Sequence, residues 1–161
     1  NQRAFVVDNG SSSFLALTNY FGENDTFEII SETGKEVVIH CVVTGGQAMD
    51  ETFTGLLALL QQTRSAKIIV WLNEYFGPIE HEGKSFKDMA LYVNNKHKIH
   101  GVVTIAARNP ETFGVDVRAM LESKRTFEES VADAATSVWV KARLSTVRSA
   151  LFNQLDAVFN G

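Results

Sequence analysis

The sequence predicts an α/β domain: a mainly parallel sheet with helices on both faces and a long C-terminal helical segment. Three observations lead there. Four short runs, Ala4–Asp8, Glu36–Thr44, Lys67–Asn73 and Gly101–Ala106, are rich in Val and Ile, with apolar residues on both alternation phases. Strands covered on both faces, as in a parallel sheet, read this way. The stretches between them carry apolar residues at helical spacing, and strand–helix alternation is the signature of layered α/β folds with right-handed crossovers. Finally, Thr126–Phe159 is helical in pattern throughout.

Taken in order, the first run lies in Arg3-Ala4-Phe5-Val6-Val7-Asp8-Asn9-Gly10 and ends in a carboxylate followed by small residues. Ser12–Phe21 and Asp25–Thr33 read as a helical pair. After the second run, Thr44-Gly45-Gly46-Gln47 makes a tight connection into a helix over Ala48–Gln62, where Met49, Phe53, Leu56, Leu57 and Leu60 share a face. The third run ends at Asn73. Helices follow over Ser85–Asn95 and Pro110–Ser123, and Pro110 suits a first helical position. Thr126 and Glu129 have the spacing of a capping box. Beyond them Val131, Ala135, Val138, Ala142, Val147, Leu151, Leu155 and Val158 can form one buried stripe. A helical pattern this long exceeds the ordinary globular range, so a break is expected near Asp133–Thr136. With no repeat and no linker, residues 1–161 read as one domain.

The composition, 45% hydrophobic and 21% charged over 161 residues, fits a folded chain with a sizeable core and argues against disorder. The single cysteine, Cys41, excludes an internal disulfide and fits a reducing cytoplasm. No apolar stretch approaches the ~18 residues of a membrane span. Residues 1–90 hold 6 Lys/Arg against 12 Asp/Glu, and residues 91–161 hold 9 against 7. That second half is too mildly basic for an electrostatic nucleic-acid footprint.

The candidate site residues are strand ends. In a parallel sheet these gather at the carboxyl edge, where ligands bind. Asp8 there suits Mg²⁺, which takes carboxylate and water oxygens; a strand-end turn is the plainer reading. Asn73 offers an amide that donates and accepts together, as a purine edge requires, or serves as a turn residue. Ala106, Ala107 and Arg108 end the fourth run and can line the same pocket. Gly77–Ser85 nearly matches the phosphate loop G-x-x-x-x-G-K-[ST] but has one residue too many between its glycines. Glu80 and Glu82 would repel phosphate, so an acidic surface loop is the better reading. His97 and His100 lack the companions of a zinc site, His40 reads as a hydrogen-bonded core residue, and Trp71, Tyr75 and Phe76 read as core or pocket wall.

The stretches FVVDNGSSSFLALTNYF, EVVIHCVVTGGQAMDET, IIVWLNEYFGPIEHEGKSF and ETFGVDVRAMLESKRTFEES together resemble the TraL family of conjugative plasmid transfer, within the ParA/MinD-like group of P-loop ATPases. The resemblance implies a partial P-loop NTPase fold, ATP and Mg²⁺ as ligands, and homo-oligomerisation. It also implies conjugation or partition machinery as partners and a bacterial cytoplasmic location. It gives Asp8 the catalytic acid acting on Mg²⁺, Asn73 the reading of adenine, and Ala106–Arg108 the flanks of the base. The family's Lys-rich phosphate loop has no counterpart here. The expectation is therefore the C-terminal part of a longer ATPase, itself unable to hydrolyse ATP. The alternative is a non-catalytic interaction module of a DNA-transfer or partition system.

Overall fold

The computed structural model describes residues 4–160. Its centre is a three-stranded parallel sheet of β1 (Val38–Thr44), β2 (Lys67–Asn73) and β5 (Ile99–Ile105), in the order β1-β2-β5. Each crossover carries a helix, as parallel pairing demands: α3 (Met49–Gln62) joins β1 to β2, and α4 (Ala90–Asn95) lies between β2 and β5. The middle strand has neighbours on both sides, and Ile68, Ile69, Val70 and Leu72 are all buried. That is why its run is apolar on both phases.

Register fixes the faces. Cys41, Val70 and Val102 lie side by side, as do His40, Ile69 and Gly101. The first face packs under α3, where Leu56, Leu59 and Leu60 join Cys41, Val43, Ile68, Val70, Phe86 and Met89 in one core. Helix α1 (Ser11–Glu23) lies outside α3, with Phe14 against Gly55 and Gln62 donating to Asn19 at 2.7 Å; α2 (Thr26–Glu32) follows it. The second face is covered over β5 by α7 (Val138–Asn160). A Cβ on Gly101 would stand 2.4 Å from Val158, so glycine is what lets this helix approach the strand. Gln154 of α7 also pairs with the backbone of Thr104: the Thr104 N–H donates to Oε1 at 2.7 Å, and Nε2 donates to the Thr104 carbonyl at 3.0 Å.

The predicted fold class stands, with corrections in detail. Ala4–Asp8 is not a strand. Residues 4–10 run to α1 without regular structure, and Phe5, Val6 and Val7 are 79–94% exposed. A strand exists only through its ladder partners, and this segment has none among the described residues. Among the described residues the main sheet therefore has three strands, not the four expected. The near-miss phosphate loop is a small hairpin of β3 (Glu80–His81) and β4 (Lys84–Ser85). Its turn residues Glu82 and Gly83 have φ of 51° and 72°, the left-handed pair of a two-residue hairpin turn. Ser85 then donates to Asp88 at 2.5 Å at the start of a 3₁₀ turn, as the surface-loop reading expected.

Pro110 opens a five-residue π-helical turn leading into α5 (Val115–Glu122). The capping box forms as predicted at α6 (Phe127–Ala132): Thr126 Oγ1 accepts from the Glu129 N–H, and Glu129 accepts from the Thr126 N–H at 2.8 Å. The break also falls where expected, with Asp133 accepting from the Ala135 N–H and paired with Arg125. The break resets the helical phase. Leu144 and Val147 are buried and Leu151, Leu155 and Val158 half-buried, whereas Val138 and Ala142 from the expected stripe are exposed.

Candidate functional site

The carboxyl edge of the sheet brings together the ends of all three strands. Thr44, Asn73 and Ile105 are register partners, so Asn73 sits at the middle of this rim, with Ala106, Ala107 and Arg108 leaving it beside β5. The loops after β1 and β2 meet backbone to backbone. The Gly45 N–H donates to the Asn73 carbonyl at 3.0 Å, and a Cβ on Gly45 would fall 2.0 Å from the Gly77 carbonyl oxygen. This contact, together with φ of 75° at Gly46, explains Gly-Gly after the strand. The pair forms a tight joint between loops.

Asn73 is half-buried, and its Oδ1 accepts from the Tyr75 N–H at 3.1 Å, capping the 3₁₀ turn Glu74–Phe76. The turn role is thus filled, and the amide NH₂ with one Oδ1 lone pair remains for a planar ligand edge. Ala106, Ala107 and Arg108 are exposed, and the Arg108 guanidinium lies 5.0 Å from the centre of the Phe113 ring. Asn109 Oδ1 accepts from the Glu111 N–H at 2.8 Å and fixes the turn that follows.

Three rim residues were not singled out as site residues by sequence. Tyr75 and Phe76, read as core or pocket wall, are exposed and packed edge to face at 4.8 Å. Arg118 donates to the Tyr75 hydroxyl at 2.8 Å, tying α5 to the rim. The spacing Trp71-x-x-x-Tyr75-Phe76 across a strand end is the signal that could have separated them. Trp71 is inside the strand and half-buried, whereas the other two follow it.

Asp8 does not join this rim as a strand end; it is exposed in the segment before α1. Among the described residues no group of three or more His, Cys, Asp or Glu side chains could hold a metal ion, so His97 and His100 form no such centre. One carboxylate in an irregular segment, with the Gly83 loop folded as a hairpin, does not make a cradle for Mg²⁺ and a triphosphate. His40 is a correction of another kind. It is hydrogen-bonded, its Nδ1 accepting from Trp71 Nε1 at 2.9 Å, but it is exposed, because α7 covers β5 and leaves β1 bare.

No protein-family model matches the sequence, and no solved structure matches it. Two curated proteins from Escherichia coli, each named Protein TraL, do. One is 45% identical over 153 residues, 94% of this chain and 64% of the relative; the other is 41% identical over 152 residues, 94% and 63%. The chain spans somewhat under two thirds of the length of these relatives, and over that span its sequence is similar to theirs.

Proposed function

We propose that this chain is part of a TraL-like component of plasmid conjugative transfer whose complete form is a ParA/MinD-like ATPase. The carrying observation is the in-register convergence of Thr44, Asn73 and Ile105 at the carboxyl edge of a parallel sheet, the edge where such folds bind ligands. The 41–45% identity to proteins named TraL supports the conjugative setting. In this reading Asn73 reads the adenine edge, Ala106 and Ala107 leave room for the base, and Arg108 flanks it. Asp8, which stands apart from this rim here, would act on Mg²⁺ only in the full-length protein, once a further strand pairs with Ala4–Asp8 and brings it to the edge. The phosphate cradle is assigned to the part of the longer relatives that has no match in this chain, and the 161 residues alone do not turn over ATP. When bound, ATP–Mg²⁺ would supply the phosphoryl chemistry, which is mostly positioning and charge stabilisation.

Titration of ATP–Mg²⁺ against a TraL-like protein of the relatives' full length tests this. Asn73→Ala is expected to weaken nucleotide binding about tenfold, the value of one good planar hydrogen-bonded contact. Asp8→Asn should reduce hydrolysis more than binding. Unchanged nucleotide affinity in Asn73→Ala would remove the assignment.

A second reading, a non-catalytic interaction module, is favoured by exposed apolar side chains on the last helix, with Val138 and Trp139 each more than three-quarters exposed. A full-length protein that fails to bind any nucleotide but retains its partners would establish it. Self-association belongs to both readings. The β1 edge and the bare face beside it, carrying His40, Val42 and Trp71, are assigned to a second copy.

A further inference from the structure

A side-chain amide has one accepting end and one donating end. At Asn73 the two are not interchangeable. The Tyr75 N–H faces this side chain at 3.1 Å, and only the oxygen can accept it. Turning the amide over would set NH₂ against N–H, donor against donor, at a half-buried position. Oδ1 keeps a second lone pair and Nδ2 keeps its protons, so acceptor and donor stand in a fixed order along the rim.

That order separates the two purines. Adenine presents an exocyclic amine donor beside a ring-nitrogen acceptor. Guanine, in the same places, presents a carbonyl acceptor beside a ring N–H donor. For a base held in one pose, an amide of fixed sense matches adenine at both atoms and opposes guanine at both.

The peptide that fixes this sense is itself held from another element. Tyr75 belongs to a three-residue 3₁₀ turn, and at 45% exposure its side chain is not fixed by the core. The ring packs edge to face on Phe76 at 4.8 Å and lies along the π-helical turn, where a Cβ on Gly114 would stand 3.7 Å from it. Phenylalanine would serve those contacts equally well. The hydroxyl adds one further bond, accepting from Arg118 of α5 at 2.8 Å. Arg118 has no carboxylate partner among the described residues. Two residues earlier in α5, Asp116 is buried and paired with Arg143 of α7. The turn after β2 is thus tied to α5, and α5 to the last helix.

We propose, resting on the nucleotide reading above, that Tyr75 is a positioning residue that sets base selectivity. Held by Arg118, it keeps the Asn73 amide in the sense that takes adenine and refuses guanine.

Nucleosides test this on the present chain, because they need no phosphate cradle. In an isotope-labelled sample followed by NMR, adenosine is expected to shift the Asn73 side-chain NH₂ signals saturably, with an affinity about tenfold above that of guanosine. Tyr75→Phe and Arg118→Ala should each cut that ratio to about threefold or less, with an unchanged melting temperature. The double variant should lose no more than either single one, since all three break the same tie. Arg118→Lys, which keeps a donor, should retain part of the preference. The parental ratio persisting in Tyr75→Phe or in Arg118→Ala overturns the proposal and leaves the reading of Asn73 intact. Equal weakening of both nucleosides overturns it as well, since that would mark a structural role alone. A parent chain that binds neither nucleoside, or both alike, also overturns it, and the ATP–Mg²⁺ titration described above then reports on the nucleotide reading by itself.

Discussion

Two adjacent residues of β1, His40 and Cys41, show how one strand presents opposite chemistry on its two faces. Cys41 lies under α3, and burial pushes its thiol up to about 11 from an ordinary 9.0. The thiolate is the reactive form, so its population at neutral pH falls about a hundredfold. Iodoacetamide at pH 8 should therefore leave the folded chain unlabelled and modify it only in denaturant; rapid native labelling would contradict the packing described. His40, on the bare face, has its pKa lowered by partial burial. Its neutral ring accepts the Trp71 N–H, and the protonated ring cannot. A folded pKa below the unfolded value gives a contribution fully present above about pH 6.5 that is lost as pH falls through the folded value. Urea denaturation at pH 7.5 and pH 5.5 should show this loss, and Trp71→Phe should make the loss smaller. An identical pH dependence in that variant would show that the pair carries none of it.

At the scale of elements, the close approach of α7 to β5 rests on Gly101. Gly101→Ala would drive a methyl into Val158 and is expected to cost about 1–3 kcal/mol, readable as a lowered urea midpoint. A midpoint unchanged from the parent would mean that the helix end yields freely. The elements also show what was legible in the sequence. Lys67–Asn73 was readable to the residue because a central strand is apolar on both phases. The capping box and the break after it were readable because their signals are local. Ala4–Asp8 misled because Phe-Val-Val has strand composition, whereas a strand is defined by neighbours that composition does not name. The shifted stripe on α7 has a similar cause: a non-helical break changes the phase of every residue after it. Of the candidate rim, Asn73 and Ala106–Arg108 followed from strand ends. The exposure of Tyr75 and Phe76 depends on a loop contact at Gly45 and Gly77, which no spacing reveals.

For the whole molecule, the covered and bare parts of the sheet are unequal. One face is closed by α3; the other is covered by α7 over β5 and is closed at Ile69 of β2, but at β1 it leaves Val42 about half exposed beside His40 and Trp71. Assigning this area to a second copy predicts a sedimentation coefficient that rises with protein concentration, and Val42→Lys should abolish the rise by placing charge in the contact. A concentration-independent monomer would reject self-association. The same measurement on one of the longer relatives named TraL would tell whether the sequence beyond the matched span takes the second copy's place.

The pairing of Gln154 with Thr104 gives the sheet a direction. A side-chain amide has the same donor and acceptor spacing as a peptide group, so Gln154 stands on the outer side of β5 as a one-residue imitation of a neighbouring strand. An unsealed margin is an invitation to another chain, and here one margin is capped at Thr104. Growth of the sheet is thereby biased toward β1, whether the incoming strand belongs to the same polypeptide or to another. Deuterium uptake should register this asymmetry: the Thr104 amide should exchange slowly although no strand lies beyond it among the described residues, while the outward amides of β1 should exchange fast until something docks there.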